Sequence, residues 1–121
     1  MLLIIRISLV LYGFIALGTG YLGVTASFEP GTSPMEDNNH RFVAAIWASM
    51  SLAFFYVAWN PSEAALFRFL MVALFLGGLV RAIALRHYPP TSFILFGIAI
   101  ELIPTAVLLW MHTRLLHTGS L

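Results

Sequence analysis

Residues 64–85 read AALFRFLMVALFLGGLVRAIAL, and the fold turns on how this stretch is read. Only Arg68 and Arg81 interrupt it with charge. The uncharged interval between them is about twelve residues, or roughly 18 Å of helix at 1.5 Å per residue. A hydrocarbon core is about 30 Å thick, so the two arginines cannot both flank a full span. Arg68 can run its stem out to the nearer interface. Arg81 is then left inside the span, where a charge costs about 2.5–3.5 kcal/mol unless it is paired or lines a cavity. Its natural counter-charge is Glu101, alone in the last apolar run.

The rest of the composition agrees with a membrane reading. Of 121 residues, 60% are hydrophobic and 9% charged, and the mean hydropathy is +0.93. A soluble domain carries roughly 25% charged residues, so a soluble fold is excluded. A net charge of +1 provides no clustered basic face for nucleic acid. The absence of cysteine excludes disulfides, thiolate catalysis and iron–sulfur ligation. No phosphate-binding Gly-rich loop or nucleophile elbow is present. The expectation is an all-α protein, an integral membrane bundle of four transmembrane helices forming a single domain over residues 1–121.

Four apolar segments of near-spanning length set the expected helices at about 2–24, 41–59, 64–86 and 91–112, with a polar loop at 25–40. The first is long for a signal sequence and reads as a retained helix. Gly13, Ala16, Gly20 and Gly23 recur along one of its faces and permit close helix approach. In the loop, Pro30, Gly31, Ser33 and Pro34 break helix, and Asp37, Asn38 or Asn39 is expected to cap the second helix. That helix carries a second small-residue stripe, Ala45, Ser49 and Ala53, with Ala44 and Ala48 beside it. Asn60-Pro61-Ser62-Glu63 is a tight turn with Ser62 as the expected cap of the third helix. Pro89 and Pro90 end the third helix, and Pro104 removes one hydrogen bond from the fourth near Glu101. The tail from His112 is expected to fray.

Antiparallel topology gathers Arg41, Arg81 and Glu101 into one half of the membrane, roofed by Asn38, Asn39 and His40, with the Tyr21 hydroxyl nearby. Three readings compete for this cluster. A structural ion pair can fix helix register, as in an accessory subunit with no ligand. Alternatively, an arginine holds the anionic head of a lipid-like or other amphipathic molecule by bidentate hydrogen bonds, with apolar helices taking its tail. In the third, Glu101 carries protons in a transporter or acts as acid and base in a membrane enzyme. Catalytic residues, cofactors and metal ligands are not assigned; His112 and His117, five apart, share no helical face. Arg6, Arg68 and Arg114 outnumber the unengaged Arg86 on the other side, which favours cytoplasmic termini. The small-residue stripes serve internal packing or a homo-oligomer equally well.

Three stretches carry a resemblance to a known family: Asn38-Asn39-His40-Arg41-Phe42, Leu76-Gly77-Gly78-Leu79-Val80-Arg81 and Ile100-Glu101-Leu102. With these the chain resembles, over nearly its whole length, the domain-of-unknown-function 4345 family of small bacterial proteins. The resemblance implies four membrane helices and a multi-pass protein of the bacterial inner membrane. It implies no activity.

Overall fold

The computed structural model describes residues 1–121. The chain is all-helical: α1 spans Leu2–Val24, α2 Pro34–Trp59, α3 Ala64–Ala84 and α4 Ser92–His117. A 3-10 turn, Leu85–His87, continues α3. All four helices are long and apolar enough to cross a membrane.

The largest departure from the sequence reading is the start of α2. It begins at Pro34 rather than near Arg41, so Asn38, Asn39 and His40 are helical and not part of a loop. Neither Asp37, Asn38 nor Asn39 caps it. Ser33 is the N-cap: its Oγ accepts from the Glu36 amide at 3.1 Å, and the Ser33 amide donates to Glu36 Oε2 at 3.2 Å. This reciprocal box satisfies two of the amides that a helix start leaves open. Pro34 sits at the first helical position, where its missing N–H costs nothing. Ser62 likewise does not cap α3; the N-cap is Glu63, which makes no side-chain cap bond. Thr91 caps α4, accepting from the Ile94 amide at 3.2 Å. The tail beyond His112 is helical through His117 and not frayed at its start. At the other end of the 3-10 turn, Tyr88 is extended, as a residue before proline prefers.

Contacts divide the chain into two compact units. The first, Arg6–Asn60, is the α1–α2 hairpin. Its helices run antiparallel, since Gly13 meets Phe55, Gly20 meets Ala48 and Gly23 meets Ala44. A Cβ at Gly20 would fall 2.7 Å from the Ala48 backbone nitrogen, so only glycine allows this approach. The stripe on α1 is thus internal packing. Of the small residues expected on α2, Ala44 and Ala48 face α1, whereas Ala45 and Ser49 are exposed. Lipid tails are as apolar as leucine, so burial in a membrane drives little association, and close packing and hydrogen bonds must hold such a hairpin. Trp47 Nε1 donates to Thr19 Oγ1 at 2.7 Å, and that hydroxyl donates to the Ile15 carbonyl at 2.6 Å. The Tyr12 ring stacks on Phe54 with centroids 5.8 Å apart.

The second unit comprises Pro61–Leu121 with Met1–Ile5. Here α3 and α4 are antiparallel, with Gly78 against Leu102 and Phe67 against His112. Phe67, Leu70, Met71, Leu74 and Gly78 form the buried stripe of α3. Ile98, Thr105, Leu108, Met111 and His112 form that of α4.

Candidate functional site

In the second unit the pairing expected from charge is present. Arg81 Nη1 lies 3.1 Å from Glu101 Oε1. The two side chains differ in setting: that of Glu101 is 14% exposed and that of Arg81 59%. Glycines surround the pair on both helices. A Cβ at Gly78 would stand 3.0 Å from Glu101 Cβ, so this glycine lets α4 close onto α3 where the acid projects. A Cβ at Gly77 would lie 3.6 Å from Glu101 Oε2, and one at Gly97 3.2 Å from Arg81 Nη1. Gly97 therefore opens the surface of α4 over which the guanidinium folds. One carboxylate oxygen occupies one edge of a fork that carries five donors. With its side chain more than half exposed, Arg81 keeps other donors accessible.

Pro104 lies one turn from the acid, followed in α4 by Thr105. Its hydroxyl donates to the Glu101 carbonyl at 2.5 Å and approaches that of Leu102 at 3.2 Å.

Arg41, in the first unit, makes three hydrogen bonds. Its Nε donates to Asp37 Oδ1 at 2.8 Å, one turn earlier on α2. Nη2 donates to the Ala26 carbonyl at 2.9 Å, and Nη1 donates to the carbonyl of Val24, the last residue of α1. The guanidinium also stands 5.3 Å from the Phe28 ring centroid. A cation here satisfies carbonyls that a helix end leaves open. Arg41 thus ties the end of α1, the connecting loop and the start of α2 together. His40 places its ring edge-on to Phe28 at 5.1 Å. Asn38 and Asn39 are exposed on the first turns of α2, and Tyr21 is exposed on α1.

One polar residue in the second unit escaped the sequence reading. His112 is fully buried. Its Nε2 is 2.7 Å from the Pro61 carbonyl, and its ring stacks on Phe67 with centroids 4.0 Å apart. Since a carbonyl only accepts, Nε2 carries the proton. His112 pins the turn before α3 to the far end of α4. The signal was its place on the stripe Thr105–Leu108–Met111–His112, at helical spacing.

Four apolar helices of spanning length and an ion pair set within two of them define an all-α, multi-pass membrane protein. Residues 4–112 match the family described as Domain of unknown function (DUF4345), and the chain belongs to that family. Comparison with curated proteins and with solved structures finds no match.

Proposed function

We propose that this is a small multi-pass protein of the bacterial inner membrane that binds an amphipathic, lipid-like molecule through Arg81. The observation that carries the reading is the imbalance of the ion pair. Glu101 holds one edge of an arginine whose side chain is 59% exposed. A guanidinium so fixed keeps donors for an anionic head group, and two parallel bonds to a phosphate or carboxylate are its preferred geometry. Glu101 orients the arginine in this reading, and the apolar surfaces of α3 and α4 take the tail. Arg41 spends three of its five N–H donors on Asp37, Val24 and Ala26 within the α1–α2 hairpin, so the reading rests on Arg81. Placement in the bacterial inner membrane rests on the family resemblance, and cytoplasmic termini rest on the distribution of arginines.

A second reading has its own support in Gly78. The close approach of α3 and α4 beside Glu101 suits an ion pair that only sets their register. The test is to purify wild type and Arg81→Gln in native-lipid particles and compare the lipids that accompany each. An anionic amphipath enriched with wild type and lost from the variant supports binding. Identical lipid profiles overturn it and leave the structural role.

A further inference from the structure

A second polar–apolar site lies wholly within the α1–α2 hairpin. Arg6, Ile7, Val10 and Leu11 of α1 and Ala58 and Trp59 of α2 line an open groove of about 500 Å³. That volume is within the range of about 300–1,000 Å³ typical of small-molecule sites. Because the hairpin is antiparallel, the second turn of α1 and the last turn of α2 share one end. Arg6 is about 6 Å along the axis from the first residue of α1, at the depth where a span meets the head groups.

The polar groups at this end differ sharply from those around Arg41. The chain has two ion pairs, Asp37–Arg41 and Arg81–Glu101, and Arg6 takes part in neither. It makes no hydrogen bond to another residue, and it is exposed. Trp59 is 84% exposed, with its indole N–H likewise uncommitted. The end of α2 would repel an anion through its open carbonyls, but Asn60 covers one of them. Its backbone amide and its side-chain Nδ2 both donate to the Tyr56 carbonyl, at 2.9 and 3.1 Å. The walls below, Ile7, Val10, Leu11 and Ala58, are apolar.

We infer that this groove holds one acidic phospholipid, with its phosphate on Arg6 and Trp59 and an acyl chain along Val10, Leu11 and Ala58. The charge pattern selects this occupant. An uncompensated guanidinium at head-group depth calls for a phosphate, and acidic lipids add net negative charge to the local attraction. The uncharged walls call for an acyl chain rather than a polar ligand. This site shares no residue with the Arg81–Glu101 site and stands or falls separately.

The test uses the full chain in nanodiscs in which one lipid in five is phosphatidylglycerol and the rest phosphatidylcholine. Native mass spectrometry counts the lipids retained on release. Wild type retains phosphatidylglycerol in excess of its bulk share. Arg6→Gln lowers that excess about tenfold, the loss expected of one charge-assisted contact. Val10→Trp, which fills the groove and leaves the charge, lowers it too, while Arg86→Gln does not. Unchanged retention in Arg6→Gln overturns the proposal. So does an equal loss in Arg86→Gln, which would make net charge the only determinant. Displacement of the lipid by soluble glycerol 3-phosphate would also overturn it, because the groove would then contribute nothing.

Discussion

Glu101 and Arg81 show how a charged pair is kept inside an apolar helix pair. The acid is the more enclosed partner, with side-chain exposures of 14% and 59%. Removing the base therefore strands the group less able to reach solvent. Breaking a fully buried pair costs about 3–5 kcal/mol. With Arg81 half exposed, Arg81→Gln is expected to cost about 1–3 kcal/mol, measured as reversible unfolding in mixed micelles. A neutral result would mean that Glu101 finds another donor. The glycines give a sharper contrast. At Gly20 a Cβ would meet Ala48 at 2.6 Å, whereas at Gly18 it would meet nothing within 4 Å. Gly20→Ala should lower stability by about 1–3 kcal/mol through overpacking. Gly18→Ala should raise it by up to about 1 kcal/mol through helix propensity. Equal effects would contradict the packing of the hairpin.

Among the elements, α2 shows where a polar sequence is misread. Met35 to Arg41 is dense in polar groups and looks like loop, yet it is two turns of helix. Polarity reports where a segment meets water or head groups and says nothing of its backbone. The local signal was present as Ser33-Pro34-Met35-Glu36, a capping box with proline at the first helical position. Ser33→Ala should cost about 0.5–2 kcal/mol and increase hydrogen exchange at the amides of Met35 to Asp37. Exchange unchanged from wild type would show that Arg41 alone holds this end. The part played by Arg41 was legible only in half. Asp37 at i−4 is visible in the sequence, but the Val24 and Ala26 carbonyls come from the preceding loop and helix end. No side-chain pattern announces a backbone acceptor.

For the whole molecule, hydropathy was enough to set the number and type of helices, because each span must be long and apolar to exist in lipid. The Arg81–Glu101 pair was legible for the same reason: two isolated charges in apolar runs have few alternatives to each other. His112 was not, since a buried histidine and a frayed interfacial one look alike beside a run of polar tail residues. His112→Ala should cost about 2–4 kcal/mol, combining a cavity with the lost bond to Pro61. It should also loosen the turn before α3, read as faster exchange at the Ala64 amide. A loss confined to the tail beyond Thr113 would contradict the burial of this ring.

The central claim is that Arg81 has donors to spare. It is tested most directly by titrating dodecyl phosphate onto the full chain in phosphatidylcholine nanodiscs, in the Arg6→Gln background so that one site reports. The account predicts that adding Arg81→Gln weakens binding about tenfold, the worth of one charge-assisted contact. Adding Glu101→Gln instead should leave binding intact, because the amide oxygen still accepts from Arg81 and orients it while a negative charge is removed. Binding that is indifferent to Arg81, or that falls equally in both variants, would contradict the account and make the pair a lock between two helices.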